Sequence, residues 1–425
     1  MQHNAAMAET QRGVIALPLV MLVFLAMVLG IGYASRNLLF EHRASANQYR
    51  STQAFEAAEA GLEWTIAQLS KNAAVGADCL PTAAPAATSF RQRYLRLDPS
   101  SGIVSPTTWL RNGASAPLQP ACVRDGETWN CACPDAGDPV LGAPGGPAIA
   151  PAHSVLLEDV GRAGLLRVVS NGCTRLGGNC AGGTPPADAT ARVEVLVGLL
   201  PALRTPPVAA LTVRGLVDAD GAAFGAHNAD PQSGGIAILA GGSVRAALAH
   251  LTGPAGGAEP GRVVAGDASL ANLTAARFFV SYFGLDKVTW SAQPIVDPVS
   301  CSGNCVASVL ARIDSSREFS IVHIDGDLLL EGPATLGSAD RPLLIVASGQ
   351  VTLRGAVALT GVLYGASVEW VGGATAGASV EGALISEGDF RSDASPEIRY
   401  SAQVLERFRT RAGTYARVAG SWKDF

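Results

Sequence analysis

Hydrophobic and polar positions change their rhythm several times along this chain. Residues 13–35, GVIALPLVMLVFLAMVLGIGYAS, carry no charge and are bounded by Arg12 and Arg36. About 20 apolar residues in a helix cross a bilayer core, and a signal-peptide core runs to roughly 7–15. The stretch therefore predicts a membrane-crossing anchor. From Arg36 to Lys71 there is no proline, and Gly61 is the one glycine. Phe55, Ala58, Leu62, Ile66 and Leu69 recur at helical spacing, which continues the helix beyond the lipid and turns a stripe toward a downstream domain.

Residues 73–150 are rich in Pro, Gly and Ala and predict loops with short strands. Two clearer strands follow, at 165–170 (LLRVVS) and 191–197 (ARVEVLV), alternating and rich in branched side chains. A long helix against a small antiparallel sheet is the α+β head this pattern predicts. Pro201, Pro206 and Pro207 then mark a boundary.

Beyond residue 208 similar blocks recur: 236–244 (IAILAGGSV), 321–329 (IVHIDGDLL), 344–352 (LIVASGQVT), 361–368 (GVLYGASV) and 382–390 (GALISEGDF). Each is a short apolar strand, a Gly or polar turn and a second short strand. The later blocks return every ~18–23 residues, the spacing of stacked solenoid turns. The expectation is an all-β C-terminal domain of β-solenoid type, with a β-sandwich as the alternative. Residues 250–320, with FFVSYF at 278–283 and Trp290, read as an insertion or a non-repeating coil. After Pro396 the period turns helical, with Val404, Leu405 and Phe408 on one face and Arg407, Arg409 and Arg411 elsewhere. Such a helix would suit the open end of a solenoid. The expected division is 1–13 as leader, 14–72 as anchor and amphipathic helix, 73–200 as head and 201–425 as β domain.

Composition narrows the function classes. Apolar residues are 48% of the chain but charged residues only 16%, which with 48 glycines favours short strands over solvated helix. A net charge of -5 without a Lys/Arg run gives nothing to hold nucleic acid. The eight cysteines, Cys79, Cys122, Cys131, Cys133, Cys173, Cys180, Cys301 and Cys305, all follow the apolar segment and suit disulfides outside the cytoplasm. Cys173 with Cys180 and Cys301 with Cys305 are the local pairs. Cys131 and Cys133 are too close to bond each other, and Cys79 and Cys122 are their nearest candidates. Zinc is disfavoured because Cys301-x3-Cys305 has no second pair or neighbouring His to complete four ligands.

Catalytic chemistry finds little support. Asp218 with Asp220, Asp325 with Asp327, and Asp389 with Asp393 are the close carboxylate pairs, all in Gly-containing segments where Asp serves local backbone hydrogen bonds. His3, His42, His153, His227, His250 and His323 are scattered. No P-loop and no G-x-S-x-G elbow occurs. A non-enzyme without cofactor or metal is the expectation.

Gln11-Arg12-Gly13 followed by Val14 and the long apolar run resembles a prepilin peptidase site. Residues 53–64, QAFEAAEAGLEW, resemble the helix of PilX-type minor pilins, and 413–425, GTYARVAGSWKDF, resemble the ending of long members of that family. The resemblance covers about a fifth of the chain. It implies cleavage after Gly13, N-methylation of Val14, residence in the inner membrane of a Gram-negative bacterium with periplasmic C-terminal domains, and later display on a pilus. It also implies contact with other minor and major pilins through the helix, with prepilin peptidase, and with a large tip adhesin. Pro18 stands at the fifth mature position, where major pilins carry Glu. That carboxylate is thought to neutralise a neighbour's terminal ammonium, so its loss points to a sparse or tip-initiating subunit. An adhesin-type binding module and a type II secretion pseudopilin are the alternatives.

Overall fold

A computed structural model describes residues 16–424 apart from 85, 99–100, 143, 146–148, 179, 181–186, 220–222, 248–249, 255–259, 314–316 and 373–375. The helix α1 runs unbroken over Ala16–Leu69, 54 residues. At 1.5 Å per residue it is about 80 Å long, far more than a small domain can cover.

Its C-terminal part lies on a seven-stranded sheet. The strand order is Gly413–Arg417, Thr190–Pro201, Leu165–Cys173, Ala152–Asp159, Ala121–Asp125 and Thr128–Ala132, with Lys423–Asp424 also on Thr190–Pro201. All these pairings are antiparallel. Alternation places Val193, Val195 and Val197 inward against α1 while Arg192 faces solvent. Residues 413–424, grouped by sequence with the C-terminal β domain, belong by hydrogen bonding to this head sheet.

Between residues 209 and 400 every described strand pairing is parallel. Ile321 pairs with Leu344, Leu344 with Val362 and Val362 with Ala383, offsets of 23, 18 and 21 residues. A second, six-stranded sheet repeats the same order through Leu328–Glu331, Gln350–Arg354, Ser367–Val371, Phe390–Ser392, Val217–Asp218 and Val244–Arg245. The strand Leu343–Ala347 shows why these blocks read as apolar runs. Leu343, Ile345 and Ala347 point into the core between the sheets, and Leu344 and Val346 into a second cluster outside.

The order of strands departs from the order of the chain. Ala209–Val213, the first strand, pairs with the late strand Ser379–Ser386 on one side and with Ile236–Ala240 on the other. The chain thus starts in the middle of the array and extends one way to Val263–Val264. It then crosses to Asp297–Val299 at the far end and returns until its last strands meet its first.

The crossing segment contains the helices Ala275–Phe283 and Lys287–Ser291, capped by Thr274 and Asp286. Phe278, Phe279, Phe283 and Trp290 cover the outer face of the larger sheet together with Val404, Leu405 and Phe408 of the helix Ala402–Thr410. That last helix lies along the sheet face, whereas the sequence suggested an end cap. At the far end, the Cys301–Cys305 loop and the buried Val309 close the core, with Cys305 N–H donating to Leu329 O at 2.8 Å.

Candidate functional site

The helix α1 has two halves with opposite surroundings. Every described residue from 16 to 49 is exposed, including Leu22 at 64%, Phe24 at 68% and Leu29 at 65%. A helix of this length and composition is able to cross a membrane, and its most apolar 18-residue window has a mean hydropathy of 2.4. Gly13 and Val14 lie outside the described residues. Pro18 falls in the first described turn of the helix.

The second half buries Ala54, Ala57, Ala58, Gly61, Leu62, Thr65 and Leu69. The buried face is broader and its side chains are smaller than the hydrophobic pattern suggested, with Phe55 and Ile66 only partly covered. Small residues are needed because the sheet comes close. A Cβ on Gly172 would strike the carbonyl oxygen of Ala54 and the backbone of Ala58. Beside that contact sits His153, 2% exposed, between the rings of Trp64 at 5.8 Å and Trp129 at 4.8 Å. Neither ring nitrogen has a hydrogen-bond partner among the described residues, and burial pushes its pKa down to about 4.

A short helix, α2 (Phe90–Tyr94), fastens the parts of the head. Ser89 and Gln92 form a capping box at its start. Arg91 donates through Nε to Leu69 O, through Nη1 to Arg411 O at 2.7 Å and through Nη2 to Gly413 O at 2.8 Å. One buried guanidinium therefore joins the end of α1 to the returning C-terminal segment, and burial lowers its pKa. Arg93 donates to Val75 O and Cys133 O, both at 2.6 Å, and pairs with Asp135. The returning segment adds the Arg417–Glu63 ion pair and an edge-on contact of Trp422 with Phe55.

The cysteines are joined as Cys79–Cys133, Cys122–Cys131, Cys173–Cys180 and Cys301–Cys305. The first ties the loop after α1 to the segment that Arg93 grips. The second spans two adjacent strands of the sheet edge.

Three of the carboxylates singled out by sequence serve the backbone of neighbouring strands. Asp327 accepts from Gln350 N–H at 2.8 Å, Asp389 from Leu216 N–H at 3.0 Å and Asp393 from Gly372 N–H at 2.9 Å. Asp218 pairs with Arg245 at 2.9 Å, and Asp220 lies outside the described residues. Among the described residues no group of three His, Cys, Asp or Glu side chains is placed to hold a metal. His227 bridges Thr252 at 2.7 Å and Glu397 at 2.5 Å on a half-buried ladder.

Sequence reasoning passed over Arg91, Arg93 and the buried Glu387. Glu387 accepts from the Tyr364 hydroxyl and from Lys287 Nζ, which also lies over the Phe279 and Tyr364 rings. That cluster pins the crossing helices to the sheet. Lone arginines or glutamates carry no spacing signal, so nothing in the linear pattern marked them.

No family model matches the chain, and no curated protein matches it. Among solved structures it is similar to the competence-associated pilin ComZ from Thermus thermophilus. Identity is 13%, coverage is 88% of this chain and 98% of that one, and the TM-score is 0.22. At that score the two molecules do not superpose as whole chains, and nothing of ComZ is carried over.

Proposed function

We propose that this protein is a membrane-anchored minor pilin that helps initiate or tip a type IV pilus. The observation that carries this is the single helix α1, apolar and wholly exposed over its first half and packed on an antiparallel sheet over its second. A helix so built holds the subunit in lipid and exchanges lipid for neighbouring pilin helices on assembly. Prepilin peptidase would cut after Gly13 and Val14 would be methylated, as the leader pattern and the PilX-type helix imply. The C-terminal parts would lie in the periplasm of a Gram-negative cell and then on the pilus, beside other pilins and a large tip adhesin.

The C-terminal unit reads as a β-solenoid inserted into the head, supported by its parallel pairings and by the return of Gly413–Arg417 to the head sheet. Such a unit would be displayed by the anchor, and its role would be structural or adhesive, not enzymatic. The six-stranded face, with Arg245, Asp218, Arg391 and Glu369 in one row across neighbouring strands, favours the adhesive alternative.

Intact mass and N-terminal sequencing, from cells with and without prepilin peptidase, test the reading. A mature chain beginning at methylated Val14 only when the peptidase is present is the expected result. An uncut chain, or a cut near Ser35, overturns it.

A further inference from the structure

A cavity of about 340 Å³ opens where three separate parts of the chain converge. One wall is Arg91, Gln92, Leu95 and Arg96 of the head, from α2 and the strand that follows it. The opposite wall is Glu318, which precedes the strand Ser320–Ile324, together with Thr410 and Arg411 at the end of the last helix. Its size lies at the lower end of the range for small-molecule sites.

The charges in this cavity do not balance. Arg411 is matched by Glu318 at 2.9 Å. Arg91 is fully engaged, but its acceptors are three neutral carbonyls, so the positive charge at the cavity floor has no bonded carboxylate. Arg96 is exposed on the strand Leu95–Leu97 and has no polar partner among the described residues. Three guanidinium groups, Arg91, Arg96 and Arg411, therefore face the single carboxylate of Glu318 around one small space, with Arg91 held rigid by its carbonyls and Arg96 free to swing. The rigid Arg91 costs nothing further to order when an anion arrives, and Arg96 alone gives up side-chain freedom.

The rest of the lining selects among anions. Glu318 repels a second negative charge, which disfavours a dianion. Leu95 and Val104 supply apolar wall, while Gln92 and Thr410 supply polar groups. That mixture suits a ring with an apolar face and hydroxyls at its edge. The geometry points to a binding site for a small sugar acid, a single hexuronate-sized ring whose carboxylate pairs with Arg96 in the field of the buried Arg91. The site belongs to the junction of head and C-terminal unit and is independent of whether the protein is a pilin.

The test uses the full chain in detergent micelles, with saturation-transfer NMR and calorimetric titration against glucuronate, glucose and inorganic phosphate. Glucuronate should bind with a dissociation constant of about 1 mM or tighter, and glucose, which keeps the ring and lacks the charge, should not. Arg96→Glu should weaken glucuronate by about tenfold or more, with the circular dichroism spectrum unchanged because the side chain is exposed. Arg96→Lys should retain part of the affinity. Absence of glucuronate binding, equal binding by Arg96→Glu, or phosphate displacing glucuronate at equal concentration would each overturn the assignment.

Discussion

Ser70 and Tyr415 share one hydroxyl across a separation of 345 residues: Ser70 Oγ donates to Tyr415 O and accepts from Tyr415 N–H, both at 3.2 Å. The first residue past α1 is thereby held to the strand with which the chain closes its head. The head is built from both ends of the chain, and its stability depends on the returning segment.

Arg91→Ala leaves three carbonyls without their donor at the cavity floor, at a cost of about 1–3 kcal/mol. Urea unfolding of the purified chain should show the loss. Arg91→Lys, which keeps the charge but cannot reach all three oxygens, should recover part of it. An Arg91→Ala protein as stable as the parent would mean that water replaces the guanidinium.

Removing residues 413–425 should expose the edge of Thr190–Pro201 and loosen α1 at Ser70. Amide exchange in Leu165–Cys173 and Thr190–Pro201 should accelerate, while the parallel array at 320–371 keeps its protection. Unchanged exchange in the head strands would show that the returning strand is dispensable.

His153 makes stability depend on pH in a defined direction. Its folded pKa, about 4, lies below the ordinary value of ~6.5, so the folded protein favours the neutral ring. The contribution is full above pH ~6.5 and is lost as pH falls toward 4, to a total of about 3 kcal/mol. His153→Phe should flatten that slope between the two values, measured as urea midpoints across the range. A slope identical in parent and variant would assign it to other groups.

Gly172→Val drives a side chain into the backbone of α1 at Ala54 and Ala58. The expected cost is at least about 1–3 kcal/mol, since neither backbone can yield without moving the helix. Protection of amides at 54–69 should fall first. Retained protection would show that the sheet is able to retreat.

Much of this architecture is legible in the amino-acid order because local chemistry carries it. The charge-free run before Arg36 and the repeated apolar blocks after residue 208 are patterns within short windows, and the helix and strands follow from them. What joins distant windows is not legible. The pairing of Leu211 with Leu384 has no local mark, because any apolar strand of the array offers a similar edge. The buried stripe of α1 is legible only in part for a related reason. Ala58, Leu62 and Leu69 follow from hydrophobic spacing, while contact distance favours Ala54, Ala57 and Gly61 over Phe55 and Ile66. The arginine clamps of α2 are recognisable only once the carbonyls they serve have been brought together.

The starting point of the parallel array has a mechanical consequence. Both chain segments that tether it to the head leave from neighbouring strands at mid-height, next to the Leu211–Leu384 pairing. Traction between an anchored helix and anything gripping the array would therefore load its centre. The far strand Asp297–Val299 and the opposite strand Val263–Val264 would bear no tension through the covalent chain. The array would hang from its middle like a balance beam, with both arms unloaded at their tips.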